Sequence, residues 1–315
     1  MSADRALLLV HAHPDDETIS NGATMAKYAA DGVHVTLVTC TRGEEGEIIP
    51  PDLGHLASHA ADALGDHRVG ELAAAMTALG VVDHRFLDEY GADGPRGERY
   101  RDSGMAWGPD GQAVPAADTK ENAFARADVD EAAGRLADVI REVRAQVLIT
   151  YEPGGGYGHP DHVQAHRVAM RAVELAAVGE EAGGAEQSGA TQPWRVAKVY
   201  WAVIPKGLMR QVLRDLEAAG ADNPFEGWRP DGPLPSMFVP DDQVSAVIDG
   251  SAFVEAKANA MRAHATQISL DGPLFALSNN VGQPLAGTEF YRLVRGEKGG
   301  ELDAGGRETD LFGGA

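Results

Sequence analysis

The chain has 315 residues, of which 43% are hydrophobic, enough for one large domain or two smaller ones with a sizeable core. Asp and Glu number 48 against 27 Lys and Arg, so the formal net charge is −21. Nucleic acid and anionic membrane surfaces both attract basic patches, and this acidic balance argues against either as a partner.

Cysteine usage and the length of the apolar runs indicate the compartment. Cys40 is the single cysteine, which excludes an internal disulfide and fits a reducing environment. The first apolar run, Ala6–Val10, is too short for a signal peptide and continues directly into His11. No segment is long and apolar enough to span a bilayer. We therefore expect a cytoplasmic protein.

Strand and helix patterns alternate along the chain, which predicts an α/β fold with a Rossmann-like, doubly wound, mostly parallel sheet. No G-x-G-x-x-G follows the first strand, so a dinucleotide is not expected. The predicted strands are Ala6–Val10, Val33–Thr39, His84–Leu87, Val147–Thr150, Lys198–Val203 and Val244–Ile248. The predicted helices are Glu17–Ala30, Val69–Leu79, Val129–Val143, Asp161–Leu175, Leu208–Ala219 and Ser251–Ala263, the last with Ser251 as its N-cap.

Composition divides the chain into three regions. Residues 1–178 form the predicted Rossmann-like, metal-binding catalytic region. Residues 193–295 form a C-terminal α+β extension that completes the same catalytic domain, after an exposed flexible loop over Val178–Pro193. The polar, glycine-rich residues 296–315 are expected to be a flexible tail.

The stretch Val10–Glu17 places two imidazoles and three carboxylates at the carboxyl end of the first predicted strand. Ligands of open α/β sheets bind at that end of the strands. The three acids also suit a helix N-terminus, where negative charge is favourable. Capping needs one acid and does not need His13 beside it, so we interpret the stretch as a metal-binding or catalytic motif.

A second stretch, Tyr151–His162, repeats the order strand, His-Pro-Asp, helix. If the two strands are neighbours, both sets of side chains meet at one edge of the sheet. Zinc binds histidine nitrogen and carboxylate oxygen, and a catalytic site keeps one position open for water. We predict that His13, Asp16 and His162 bind one Zn²⁺ per chain, with Fe²⁺ as the other candidate. Two histidines and one carboxylate also describe a non-haem iron oxygenase, although no anchor for a 2-oxoacid is recognisable.

The two motifs resemble those of the zinc-dependent N-acetylglucosaminyl deacetylases related to the GPI-precursor de-N-acetylase. The family's A-H-P-D-D-E is present as Ala12–Glu17 and its H-P-D-H as His159–His162. The stretches Arg101–Met105 and Ser278–Asn280 are most similar to the actinobacterial mycothiol-pathway branch. The resemblance implies hydrolysis of the acetamide of an N-acetyl-glucosaminyl-inositol, a small pseudodisaccharide, to acetate and a free amine. The alternative within the family is a mycothiol S-conjugate amidase, which tends to carry a basic residue where Ser20 stands.

The residue types suggest a catalytic role for four further side chains. Asp15 is next to the ligand Asp16 in sequence, so its side chain cannot point in the same direction and is not expected to bind the metal. We expect it to act as general base on the metal-bound water. We expect His159 to be a protonated partner of the oxyanion or leaving amine, held and kept charged by Asp161. Tyr157, between two glycines, is expected to donate a hydrogen bond to the tetrahedral intermediate, although an ordinary loop aromatic fits nearly as well.

By the resemblance, Arg68 and Asp102 bind the polar substrate and Met105 lines the pocket. Ser20 marks the deacetylase branch, and Glu47 is within reach of a sugar hydroxyl. From the residues alone, Arg68 is a surface salt-bridge partner of Glu71 or Asp66, and Glu47 belongs to a solvated acidic turn. The sequence is compatible with a homo-oligomer as well as with a monomer. His11 is expected behind the ligand His13, and His264 has no role that the sequence indicates. The residues expected to bind substrate are Arg68, Asp102, Met105, Glu47 and Ser20.

Overall fold

The computed structural model describes residues 5–89, 99–108, 113–178, 192–220, 222–223, 225, 228–234 and 238–315. The strands are β1 Ala6–His11, β2 His34–Thr39, β3 Asp83–Phe86, β4 Met105–Trp107, β5 Ala113–Pro115, β6 Val147–Thr150, β7 Lys198–Pro205, β8 Phe238–Val239, β9 Ala246–Asp249, β10 Ser269–Asp271, β11 Leu274–Ala276, β12 Gln283–Pro284 and β13 Thr288–Arg295. The helices are α1 Asp16–Ala30, α2 Leu64–Leu79, α3 Val129–Val143, α4 Gly155–Gly158, α5 Pro160–Ala177, α6 Lys206–Ala219 and α7 Val254–Ala263.

The main sheet runs in the order β3-β2-β1-β6-β7-β13-β9, with β8 beside β7. Its first five strands are parallel, and β13 is antiparallel to both β7 and β9. The predicted Rossmann-like α/β fold is therefore confirmed. In the register of β1 and β6, Leu9 lies opposite Ile149, so the two His-Pro-Asp motifs leave neighbouring strands at the same edge.

Both faces of the sheet are covered, and for this reason β1 is a continuous apolar run. Leu8 and Val10 pack into one core with residues of α3 and α5, whereas Leu7 and Leu9 pack into the other with residues of α1, α2 and α7. This packing fixes β1 on both sides. The turn that follows it is consequently held at a defined place above the sheet.

The C-terminal region contributes β7, β9 and β13 to the same sheet. Residues 296–315 are not the loose tail expected from their composition. Leu311 and Phe312 are buried in the core, and the Leu311 N–H donates a 2.8 Å hydrogen bond to the Tyr28 hydroxyl. Glu308 forms a buried ion pair with Lys198 of β7. These buried side chains attach a polar, glycine-rich segment to the core.

Other differences from the predicted elements are local. Helix α2 begins at Leu64, five residues earlier than expected, and the irregular stretch after Glu89 contains the hairpin β4–β5. Ser251 is not an N-cap, because α7 begins at Val254 and the Ser251 N–H donates to Asp249 instead. Most of the loop predicted over 178–193 lies outside the described residues. Within the described part of the chain, no helix is long and apolar enough to cross a membrane.

Candidate metal centre and active site

The site lies where β1 and β6 end. Asp15 precedes α1 with a φ of 110°, and His159 is the N-cap of α5. Pro160 occupies the first position of that helix, where no backbone N–H is needed. The two helices thus begin side by side, and they bring the side chains of both motifs together.

The three predicted ligands are brought together around one carboxylate oxygen. Asp16 Oδ2 lies 3.4 Å from His13 Nδ1 and 3.3 Å from His162 Nε2. Two ligand atoms on a tetrahedral zinc, each about 2.1 Å from the ion, are about 3.4 Å apart. Burial alone would raise the pKa of Asp16, but the neighbouring His162 and His13 lower it well below its usual value. Each of the two imidazoles therefore lies at the spacing of metal ligands from the Asp16 carboxylate.

The atom that best tests a metal at this place is His162 Nε2. It is buried and has no hydrogen-bond partner among the residues that the structure describes. The other ring nitrogen, Nδ1, lies 3.2 Å from the Gly155 carbonyl oxygen, which accepts only from a protonated nitrogen. In the neutral ring, the lone pair is therefore on Nε2, which lies 3.3 Å from Asp16 Oδ2. A cation bound at this place would use the lone pair of Nε2, the one of the two atoms that is left unsatisfied among the described residues.

Two other groups of donor atoms compete for His13. The nitrogens of His13, His159 and His162 lie within 4.8 Å of one another, and so do the donor atoms of His13, Asp102 and Asp161. In the second group, His13 Nε2 is 3.1 Å from Asp161 Oδ2 and 3.5 Å from Asp102 Oδ1. A carboxylate on the far nitrogen of a ligating histidine is the usual way to fix its orientation.

Asp161 is not placed as the sequence indicated. We expected its carboxylate to hold His159, but it contacts His13 and accepts hydrogen bonds from the Ser103 side chain and from the Ser103 N–H at 2.9 Å. The reason is the start of α5: His159 Nδ1 accepts the Asp161 N–H at 3.1 Å, which turns the Asp161 side chain away from that ring. Burial, followed by the charges of His13 and His162, lowers the pKa of His159, so the expected permanent charge is also absent.

Asp15 and Arg68 form a contact that sequence reasoning did not predict. Arg68 Nη2 lies 3.3 Å from Asp15 Oδ2 and also donates to the Pro14 carbonyl, while Nη1 donates to the Gly43 carbonyl at 2.9 Å. Arg68 is only 2% exposed, so it is neither the surface ion pair nor the open substrate contact that we expected. Burial raises the pKa of Asp15 to about 6, with Arg68 opposing the rise.

Glu71 and Asp66, the predicted surface partners of Arg68, bind elsewhere. Glu71 accepts hydrogen bonds from Thr266, and Asp66 pairs with Arg99. The guanidinium of Arg68 therefore contacts the turn of Pro14 and Asp15 rather than either of these two acids.

The aromatic residues extend the site towards solvent. The Tyr157 ring lies 5.2 Å from His162 and 6.0 Å from His159, measured between ring centroids. Burial raises the pKa of its hydroxyl, so it remains a hydrogen-bond donor. On its other side, Trp107 lies 5.9 Å away and is 60% exposed. The glycines on either side of Tyr157 both have positive φ.

The remaining predicted substrate residues differ in burial. Asp102 is buried beside His13. Burial alone would raise the pKa of Asp102, but the charge of His13 lowers it well below its usual value. Met105 lies half-buried on β4, two residues before Trp107, and Ser20 is half-buried on α1. Glu47 is exposed and lines a cleft of about 430 Å³ together with Ile49, Ser278 and Asn280.

Sequence reasoning missed Tyr151. Its hydroxyl donates to Asp16 Oδ2 at 2.8 Å and accepts the Ala12 N–H at 2.9 Å, and its ring stacks on His162 at 4.4 Å. His11 lies behind it, with Nδ1 3.2 Å from the same hydroxyl. The one signal in the sequence was its position directly after β6, opposite the first motif.

Known proteins resemble this chain along its whole length. The sequence profile of the PIG-L family, described as GlcNAc-PI de-N-acetylase, matches residues 8–173. A protein from Nocardioides sp., named 1D-myo-inositol 2-acetamido-2-deoxy-alpha-D-glucopyranoside deacetylase, is 58% identical over 314 residues and covers 100% of both chains. A protein of the same name from Kribbella flavida is 54% identical, covering 99% of this chain and 98% of its own.

Among solved structures, the zinc-inhibited form of a teicoplanin deacetylase shares the fold, with a TM-score of 0.50 and 19% identity over 93% of this chain and 99% of that chain. Because the profile spans more than half of the chain, and relatives more than half identical match it from end to end, this chain belongs to the PIG-L family of GlcNAc-PI de-N-acetylases.

Proposed function

We propose that this protein is a metal-dependent amide hydrolase of mycothiol biosynthesis. Its substrate is the pseudodisaccharide for which its full-length relatives are named, 1D-myo-inositol 2-acetamido-2-deoxy-alpha-D-glucopyranoside. It removes the acetyl group and releases acetate and the free amine. The observation that carries the proposal is the unpartnered His162 Nε2 facing Asp16 Oδ2 at 3.3 Å, with the carboxylate of Asp15 next in sequence.

His13, Asp16 and His162 would hold one divalent ion, Zn²⁺ or Fe²⁺. When bound, such an ion lowers the pKa of a water molecule to about 7 and polarises the amide carbonyl. The donor set supports this assignment, because imidazole and carboxylate suit both ions. Tyr151 and Asp161 support the ligands from behind through their contacts with Asp16 and His13.

Asp15 is the proposed general base. Its carboxylate contacts Arg68 through Oδ2, at 3.3 Å. It takes a proton from the attacking water as the water oxygen bonds to the acetyl carbon. That proton ends on the amine nitrogen when the C–N bond breaks, and acetate is the second product.

His159 and Tyr157 are the proposed donors to the substrate. His159 Nδ1 accepts the Asp161 N–H, so the ring proton of a neutral His159 is on Nε2, where it can be donated. Tyr157 retains its hydroxyl proton. These two groups are suited to stabilising the oxygen that gains charge in the tetrahedral intermediate, by donating hydrogen bonds to it.

The proposed substrate contacts are Asp102, Met105, Glu47 and Ser20. Arg68 leaves this set because its guanidinium is buried against the Asp15 turn. The exposed carboxylate of Glu47 shares its cleft with Ser278 and Asn280, and these polar groups suit the hydroxyls of a polyol. We further propose that the reaction takes place in the cytoplasm.

A conjugate amidase would need the same base and the same oxyanion contacts, because both reactions hydrolyse an amide on a glucosamine nitrogen. The acyl pocket distinguishes them, although each methylene-sized difference contributes only about 1–3 kcal/mol, so weak activity on conjugates is expected. The test is kcat/KM measured side by side on the N-acetyl pseudodisaccharide and on a mycothiol S-conjugate. A preference for the acetyl substrate supports the proposal, and a preference for the conjugate transfers the protein to the amidase branch.

A further inference from the structure

The backbone of Asp15 has an unusual conformation. Four non-glycine residues in the described ranges have positive φ, and three of them, at 52–55°, lie in the ordinary left-handed region. Asp15 is at φ 110° and ψ −35°, where a side chain is strained. A conformation of this kind persists only where the surroundings hold it in place, and it is typical of functional sites.

Two contacts hold Asp15 from opposite ends. Its backbone N–H donates a 2.9 Å hydrogen bond to Glu17 Oε2, and its carboxylate contacts Arg68 at 3.3 Å. The other oxygen of Glu17 accepts the Thr18 hydroxyl at 2.6 Å and lies 2.8 Å from His264 Nε2. Glu17 and His264 are both completely buried.

Helix capping accounts for only half of this arrangement. An acid in the first turn can reach back to the N-cap N–H, as Glu17 Oε2 does to Asp15, but a cap does not need the 2.8 Å contact between the other oxygen and His264 Nε2. A buried ion pair also adds little net stability, because desolvation of both groups offsets their attraction. The main consequence of the pair is therefore the geometry that it imposes on Asp15.

We propose that Glu17 and His264 are positioning residues that hold Asp15 in its strained turn. His264 follows α7, in the C-terminal extension, so the last third of the chain fixes the orientation of a residue in the first motif. The inference rests on the proposed function for the role of Asp15 as base. The placement of Asp15 itself is independent of the substrate.

The sharpest test compares two amides at position 264. In His264→Gln, the side-chain nitrogen reaches the place of Nε2 and can still donate to Glu17. In His264→Asn, the shorter side chain cannot reach it. We expect His264→Gln to keep kcat within about threefold of wild type and His264→Asn to lose about 100-fold, as for an ångström-scale misplacement of a catalytic group. KM and metal content should stay near wild type in both variants.

Two further variants separate positioning from general destabilisation. Glu17→Met/His264→Leu replaces the pair by apolar groups, and it should fold and bind metal but lose kcat. Lys257→Met/Glu289→Gln removes another buried ion pair, 2.8 Å long, whose lysine is on α7. This control should lose stability without losing kcat.

Amide hydrogen exchange of Asp15 in the metal-free protein gives a readout that does not depend on activity. Its protection should fall at least tenfold in His264→Asn and be kept in His264→Gln. Equal kcat and equal protection in these two variants would overturn the proposal, as would a kcat loss in the control pair as large as in Glu17→Met/His264→Leu. If wild type does not act on the acetyl substrate, the proposed function fails, and the exchange experiment still decides the positioning role.

Discussion

His162 Nε2 lies 3.3 Å from Asp16 Oδ2 and has no hydrogen-bond partner in the described part of the chain. When the imidazole is neutral, the Gly155 carbonyl, 3.2 Å away, fixes its proton on Nδ1 and leaves the lone pair on Nε2. The Tyr151 hydroxyl and the His13 N–H already donate to the same carboxylate oxygen. A divalent ion bound between the ring and the carboxylate would use both lone pairs, and this relationship underlies the predictions that follow.

His162→Ala should abolish metal retention, because it removes the ligand that has no other partner. Elemental analysis after dialysis should show close to one ion per chain in wild type and close to none in the variant, and His13→Ala should behave in the same way. His34→Ala is the control, since His34 is exposed on β2 and contacts Asp83. Full metal occupancy in either ligand variant would show that the assignment is wrong.

Tyr151→Phe should weaken metal binding while leaving the three ligands intact. The variant loses the 2.8 Å hydrogen bond to Asp16 Oδ2 but keeps the ring that stacks on His162. Loss of such an outer partner costs about 10- to 100-fold in metal affinity. Competition with a chelator measures the change, and Tyr28→Phe is the matched control because its hydroxyl bonds to Asp310 away from the site. Equal affinities in the two variants would contradict the role given to Tyr151.

The two His-Pro-Asp motifs could be recognised from sequence because each one directly follows an apolar run. Parallel strands then bring their carboxyl ends together, so His13, Asp16 and His162 converge without further information. The surroundings of these residues could not be predicted in the same way. His264 contacts Glu17 across 247 positions of sequence, and Arg68 reaches Asp15 across 53, through helix packing that no local pattern encodes.

The errors have local physical causes as well. Asp161 is two residues from His159, and proximity in sequence suggested a pair. In the first turn of α5, the side chain of the N-cap His159 accepts the Asp161 N–H, and the Asp161 carboxylate is directed to His13. The flexible tail expected from composition at residues 296–315 was also wrong, because Leu311 and Phe312 of this otherwise polar segment are buried in the core.

Asp15→Asn should retain the metal and lose the proton acceptor. General acid–base catalysis contributes about 10²–10⁴-fold, so kcat should fall by at least the lower figure. Metal content and KM should remain close to wild type, because the variant preserves the size of the side chain. A variant with near-normal turnover would move the base to another residue, and His159 would be the next candidate.

Trp107→Ala should raise KM more than it lowers kcat. Trp107 is 60% exposed, lies 5.9 Å from Tyr157, and is two residues from Met105 on β4, where it offers an apolar face to a sugar ring at the rim of the site. Trp107→Phe should recover part of the affinity. Steady-state kinetics of wild type, Trp107→Ala and Trp107→Phe give the three KM values. An unchanged KM in Trp107→Ala would exclude a contact between Trp107 and the substrate.

The most direct test of the whole account is a titration of the metal-free protein with Zn²⁺, with bound metal and release of free amine from the N-acetyl pseudodisaccharide measured on the same samples. The account predicts that amine release rises in proportion to bound metal and reaches its maximum at one ion per chain. His162→Ala should give neither binding nor release. Amine release at the full rate by protein that contains no metal would contradict it.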